Sequence, residues 1–329
     1  MKTIFSPLLT LGLLIGGLIL AGCSSEDNGM NEDNTNSNNS NSQTSGVVPE
    51  NSDSGKNNTS EPDNPSSNDN NDNNDNNNDG NQGSGSSDSP SWQLVFEDNF
   101  EGTDSIPDSS KWTLAERGDD TWNRYMSESY GQAYQKDGYL YLFGMMANDE
   151  YLTGGIETRD KFDFTYGQVK CRARFLRQPQ GNHTGIWMMP QPPAELWPKS
   201  GEIDIMEHLN DEDIIYETVH NWWEGGLNHE DDPVNRSTAA IDKEEFNVYG
   251  VIWNENSITF TVNGKENFTY KNEHMEGDDG FYQWPFTKPF YLILSQSLGG
   301  EGTWEGVIDN AELPAVFQID WIKVWQKSE

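Results

Sequence analysis

Residues 201–208 read Gly201-Glu202-Ile203-Asp204-Ile205-Met206-Glu207-His208, three carboxylates within six residues on a segment otherwise built from Ile and Met. Glu202 and Asp204 alternate with Ile203 and Ile205, the period of a half-buried strand. Residues two apart share a face, so the first two carboxylates point one way and the isoleucines the other. Strict alternation would then carry Met206 to the carboxylate face and bury Glu207, and an unpaired carboxylate in a core is costly. One extra residue near Met206, a β-bulge, resets the alternation and returns Glu207 to the polar face. The segment therefore reads as a bulged strand with an acidic face.

The bulge leaves Glu202 and Glu207 about four strand steps apart, near ~13 Å between Cα atoms. Side chains leaning toward each other close that to roughly 5–6 Å, a spacing at which one carboxylate can attack a glycosidic carbon while the other donates a proton. Asp204, between them, would hold a shared proton or a hydrogen bond. The plainer reading is a solvated acidic strand face, and the aromatic surroundings count against it.

Short alternating runs recur through residues 91–329: Tyr139 to Phe143, Gly167 to Phe175, Ile258 to Val262, Phe290 to Leu294 and Phe317 to Trp325. Turn pairs such as Asp137-Gly138 and Asn263-Gly264 separate them, and residues 261–266 read as a tight hairpin. No long segment has a helical period, although Asp242 to Phe246 fits a short helical turn. Many short strands without αβ alternation predict an all-β antiparallel sandwich or barrel, and about 239 residues suffice for one large core.

Twelve tryptophans are present, several beside polar groups: Trp122-Asn123-Arg124-Tyr125, His220-Asn221-Trp222-Trp223 and Gly300-Glu301-Gly302-Thr303-Trp304. Sugars offer flat C–H faces and a rim of hydroxyls, which indole rings with Asn, Arg and Glu match. Trp92, Trp112, Trp253 and Trp321 read as core. Cys171 reads as a small core residue, and the five histidines have no zinc spacing. The net charge of −35 makes nucleic acid, whose phosphates need Lys and Arg, an unsuitable partner.

Residues 1–22 read as a signal peptide, with Lys2 ahead of an uncharged apolar run from Leu8 to Leu20. Leu20-Ala21-Gly22-Cys23 resembles the lipobox of bacterial lipoproteins, which implies lipidation at Cys23 and a membrane anchor. Ser24-Ser25-Glu26-Asp27 resembles the acidic tag that sends such lipoproteins to the surface of the outer membrane. Residues 23–90 form an Asn/Ser/Asp-rich tether whose composition cannot offset the entropy of ordering. Asp75 to Gly80 imitates half of an EF-hand loop, but Ser86 stands where the bidentate Glu is needed.

Glu202-Ile203-Asp204-Ile205-Met206-Glu207 resembles the signature of glycoside hydrolase family 16 in its bulged, laminarinase-like form. Trp187-Met188-Met189-Pro190, Leu298-Gly299-Gly300 with Trp304, and Ile319 to Trp325 resemble further family segments in the family's order. The resemblance covers residues 92–326 and implies a β-jelly-roll sandwich with a concave substrate cleft, acting as a monomer. It implies a retaining endo-hydrolase of β-1,3 or mixed-linkage β-1,3/1,4-glucan, without a cofactor for catalysis. Alternatives on the same fold are an agar or porphyran hydrolase and a glycan-binding lipoprotein without catalysis.

By the resemblance, Glu202 is the nucleophile, Glu207 the acid/base and Asp204 their modulator. Trp187, Trp197, His220, Trp222 and Trp304 line the cleft, and Asn123, Arg124 and Arg159 bind sugar. Many family members carry a structural calcium, and Glu97, Gly138 and Asp320 occupy similar positions.

Overall fold

A computed structural model describes residues 91–328 apart from Asp104, Pro193, Glu195 and Glu230. The expected signal peptide (1–22), the lipidation site Cys23 and the tether (23–90) lie outside the described residues.

In chain order the strands are β1 (Trp92–Asp98), β2 (Thr113–Leu114), β3 (Ala133–Lys136), β4 (Tyr139–Ala147), β5 (Glu150–Thr153) and β6 (Gly155–Glu157). β7 (Gly167–Arg177), β8 (Asn182–Pro190), β9 (Glu202–Leu209) and β10 (Ile214–His220) follow, then helix α1 (Trp222–Gly225). The rest comprises β11 (Arg236–Ala240), β12 (Asn247–Trp253), β13 (Ser257–Val262), β14 (Lys265–Lys271), helix α2 (Gly277–Gln283), β15 (Phe290–Leu298) and β16 (Ala315–Lys327). Residues 242–246 make a turn without a helix.

Two antiparallel sheets result, the sandwich expected of a jelly roll. One runs β11-β10-β9-β8-β15-β6-β2; the other runs β14-β13-β12-β7-β16-β4-β3, with β1 also on β16 and β5 on β4. Asp137 (φ 55°) with Gly138 (φ 79°), and Asn263 (φ 51°) with Gly264 (φ 76°), take the paired positive φ that two-residue hairpin turns demand. Between the sheets, Val169, Cys171, Ala173, Ile322 and Val324 pack against Ile186, Met188, Ile203, Met206, Leu292 and Leu294. This layer excludes water and fixes which side of each strand faces out.

The bulge in β9 is present. Ile186 pairs with Met206 and Trp187 with Asp204, so Ile205 has no partner on β8. Ile203, Ile205 and Met206 all enter the core, while Asp204 and Glu207 emerge on the other face. His208 also turns inward: it stacks on Phe175 at 3.9 Å, and burial pushes its pKa down to about 4. It is a neutral core histidine.

Two further bulges, at Asp320 on β16 and at Val95 on β1, redirect two tryptophans. On β16, Ile319 pairs with Ala173 and Trp321 with Arg172, so Asp320 is extra. Trp321 therefore points outward, beneath Lys323, and Trp92 lies beneath Lys327. Trp112 and Trp253 are buried as expected.

Two of the three expected calcium ligands, Glu97 and Asp320, contact cations of the chain. The Asp320 carboxylate is held by the Arg172 guanidinium at 2.5 Å. The Glu97 carbonyl accepts from Lys111 Nζ at 2.7 Å, and the Glu97 side chain is exposed.

Candidate active site

The outward face of the β9 sheet is read from cross-strand neighbours, since residues directly opposite share a side. His220 lies opposite Glu202, Thr218 opposite Asp204 and Tyr216 opposite Glu207 on β10. On the other flank, Trp187 lies opposite Asp204 and Gly185 opposite Glu207. Trp187 then meets Ile293 of β15, and Ile293 meets Glu157 of β6. Trp187, Tyr291 and Ile293 form an apolar cluster separate from the main core, covered by Trp122 and Met189. An apolar floor beside three carboxylates is what a sugar ring needs, one face dry and one polar.

Glu202, Asp204 and His220 form a compact group, with ligand atoms all within 4.8 Å of one another. His220 Nε2 lies 3.3 Å from Asp204 Oδ2, and Glu202 shares a hydrogen bond with Asp204. Trp197 Nε1 donates to Glu202 Oε2. Burial, then the charge of Asp204, pushes the Glu202 carboxyl well above its usual range, with His220 and the Trp197 hydrogen bond opposing. Burial and then Glu207 likewise push Asp204 well up. The pair holds a shared proton more tightly than free carboxylates would.

Glu207 stands at the other end of the group. His183 Nε2 lies 3.1 Å from Glu207 Oε1, and Ser297 Oγ lies 3.2 Å from His183 Nδ1. Glu305 Oε1 approaches the same Nδ1 at 3.7 Å. Trp304, 55% exposed, packs on Tyr216 at 5.0 Å and near His183 at 5.8 Å. Trp197, 57% exposed, lies 5.6 Å from His220. The two exposed indoles thus flank opposite ends of the carboxylate row.

The remaining residues expected at the site are distributed differently. Trp187 is buried beneath Trp122, edge to face at 4.7 Å, and donates to Ser295 Oγ at 3.0 Å; it is floor, not platform. Trp222 opens α1 with Lys199 over its ring at 5.1 Å, so it packs beside the 197–200 turn rather than on the carboxylates. Both arginines expected to bind sugar are committed within the fold. Arg124 Nη2 donates to the Gly299 carbonyl at 2.5 Å, anchoring the loop that carries Trp304. Arg159 is paired with buried Glu157 at 2.5 Å and with Glu116 at 3.1 Å. The Asn123 side chain lies against Gly118 with a buried, unbonded Oδ1.

Sequence reasoning missed His183, Glu305 and Trp122. Trp122 sat in a segment already marked by its polar neighbours. His183 and Glu305 carry no local motif, and only the strand register brings them to Glu207.

A β-sandwich that gathers an acidic trio on an aromatic floor has the groups that cutting a glycosidic bond requires. The chain belongs to glycoside hydrolase family 16: the family described as "Glycosyl hydrolases family 16" matches residues 123–323. The keratan-sulfate endo-1,4-beta-galactosidase of Sphingobacterium multivorum is 39% identical over 243 residues, covering 71% of this chain and 55% of that protein. The beta-glucanase of Rhodothermus marinus is 30% identical over 259 residues, covering 73% of this chain and 87% of that protein. A solved structure from the endo-acting O-glycanases with which human gut microbiota initiate mucin breakdown is 31% identical, with a TM-score of 0.63, and covers 70% of this chain and 98% of its own. The chain thus spans about half the length of the galactosidase and most of the glucanase. Glycosidases of this family act without a catalytic cofactor.

Proposed function

We propose that the chain is a retaining endo-glycosidase in which Glu202 is the nucleophile and Glu207 the acid/base. The observation that carries this is the bulge at Ile205, which puts both glutamates and Asp204 on one face over an aromatic floor. In the first step a Glu202 oxygen bonds to the anomeric carbon, the glycosidic C–O bond breaks, and the Glu207 proton passes to the departing oxygen. In the second, water attacks that carbon, its proton returns to Glu207, and Glu202 leaves as a carboxylate. Asp204 and His220 orient Glu202 and hold the shared proton while it attacks.

For the bond that is cut, we take a β-1,4-galactosidic linkage in a galactose-containing glycan. The 39% identity to a keratan-sulfate endo-galactosidase supports this reading. The β-glucan expected from the sequence is the second reading, favoured by the beta-glucanase that the chain matches over 87% of its length. Anchoring at the outer surface through Cys23 suits a polymeric substrate too large to import, and rests on the sequence alone.

The experiment is product analysis with the purified chain on keratan sulfate, its desulfated form, mucin O-glycans, laminarin and mixed-linkage β-glucan. Oligosaccharides ending in reducing galactose from the first three would support the galactosidase reading. Release from the glucans alone would transfer the proposal to the second reading. Binding without cleavage of any of them would refute the enzyme assignment for this chain.

A further inference from the structure

The acid/base glutamate of a retaining enzyme has to present one oxygen to the glycosidic oxygen twice per turnover, first giving a proton and then taking one. Among the described residues, Glu207 is hydrogen-bonded through Oε1 alone, to His183. The two side chains are not direct cross-strand partners. Glu207 faces Gly185, and His183 sits two residues before Gly185 on β8. The glycine makes the diagonal contact feasible: a Cβ there would fall 2.9 Å from the Trp187 ring and 3.1 Å from Ser295 Oγ, so the space opposite Glu207 holds no side chain of its own.

His183 is itself held from behind. Ser297, its register partner on β15, lies 3.2 Å from Nδ1 and also donates to the His183 carbonyl. Glu305, 4% exposed, brings Oε1 to 3.7 Å of Nδ1, and its Oε2 is buried without a hydrogen-bond partner. A carboxylate so placed needs a compensating charge.

We propose that His183 is the positioning residue of the acid/base, an imidazolium clamped between Glu305 and Glu207 that holds Oε1 of Glu207 and leaves its other oxygen for the substrate. This rests on the reading of Glu207 as acid/base. The charged and titratable groups around the ring are Glu207, Glu202 and His208 of β9 and Glu305 of the loop after β15. Burial by itself would favour the neutral imidazole, but Glu207, Glu305 and Glu202 outweigh it and raise the His183 pKa. A cation there favours the carboxylate that Glu207 becomes as its proton leaves, which is when help is needed. His183 touches no substrate atom in this scheme; it acts through Glu207.

The test exploits leaving-group chemistry. kcat/KM would be measured for His183→Ala and His183→Gln on the natural polymer. The same variants would be assayed on a dinitrophenyl glycoside of the released oligosaccharide, whose departure needs no proton. The expected result is a loss of about ten- to a hundredfold on the polymer for His183→Ala, since general acid catalysis contributes about 10²–10⁴. The aryl glycoside should change by less than about threefold, and His183→Gln, which can still donate to Oε1, should recover part of the loss.

Equal loss on both substrates, or no loss on either, would overturn the proposal. Should His183→Ala fail to fold, Glu305→Gln leaves the Glu207 contact in place and should show the same split, smaller in size; no split would again overturn it. Glu207→Gln run alongside separates the two ideas. If it keeps full activity on the polymer, the acid/base reading fails and His183 with it. If it shows the substrate split and His183→Ala does not, only the His183 proposal fails.

Discussion

Asp204 and Glu207 share one face of β9 although they are three residues apart, an odd spacing that a regular strand would send to opposite faces. The unpaired Ile205 makes the difference, and it spends its side chain in the core between the sheets. Sheet curvature, core packing and carboxylate geometry therefore meet at one residue. Around it, the buried Asp204 is backed by His220, and Glu207 is reached by His183 from the neighbouring strand.

Deleting Ile205 tests this directly. With Ile205 absent, Met206 falls into the inward position and both ladders can stay in register, so Glu207 keeps its face. The chain should fold but lose about 2–4 kcal/mol with the buried isoleucine. Activity should drop at least tenfold as the bulge-set angle of Glu207 relaxes. Urea titration and hydrolysis rates would be read together. Full activity in the deletion would show that the bulge is not needed for catalysis.

Much of this was legible in the sequence. The period-2 runs and the Asp137-Gly138 and Asn263-Gly264 turns announced the sandwich, and the cost of burying Glu207 announced the bulge. Trp321 misled for the same kind of reason: counting from Phe317 and Ile319 places it inside, and the extra residue Asp320 turns it out. The same alternation would also bury Lys323, so the sequence carried the same warning there as at Glu207. His183 and Glu305 were hidden because cross-strand register is not written locally. In a sequence, a charge beside aromatics looks the same whether it faces a ligand or pairs, as Arg159 does, with a buried carboxylate such as Glu157.

Glu202→Gln should abolish turnover while making the fold more stable above neutral pH. The folded-state pKa of Glu202 is raised, so the folded chain binds the proton more tightly than the unfolded one. Stability is then greatest below the ordinary glutamate range and falls as pH rises toward the folded pKa. Gln removes that dependence. The melting temperature at pH 8 should exceed the parent's, with little difference near pH 4. A variant less stable at pH 8 would contradict the stated cause of the shift.

Trp197→Phe addresses the nucleophile from outside the sheet. The indole N–H is one of two features that favour the charged form of Glu202, the other being His220. Losing it raises the carboxyl further, and a nucleophile must be ionised. The acidic limb of kcat/KM should therefore move to higher pH, with a plateau loss of about ten- to a hundredfold for one hydrogen bond to a charged group. An unmoved limb with a raised KM would instead mark Trp197 as a sugar platform only.

Glu217 offers a prediction remote from the carboxylate row. It lies on β10 opposite the bulge, fully buried, with Oε2 accepting from Asn267 Nδ2 at 2.7 Å and Oε1 unbonded. Burial pushes its pKa up to about 7, with the Asn267 hydrogen bond opposing. An acid whose folded pKa is raised destabilises the fold progressively as pH climbs from the unfolded value through the folded one. The full shift corresponds to about 3 kcal/mol above pH 7 and nothing below pH 4. Glu217→Gln keeps the acceptor for Asn267 and cannot ionise. Thermal melts of parent and variant should coincide near pH 4 and diverge between pH 5 and 8, the variant melting several degrees higher at the top. Because Glu217 faces away from the carboxylates, hydrolysis at 25 °C should be unchanged across that range. Curves that stay parallel throughout would mean that Glu217 ionises as readily in the folded chain as in the unfolded one, which would contradict the effect assigned to its burial.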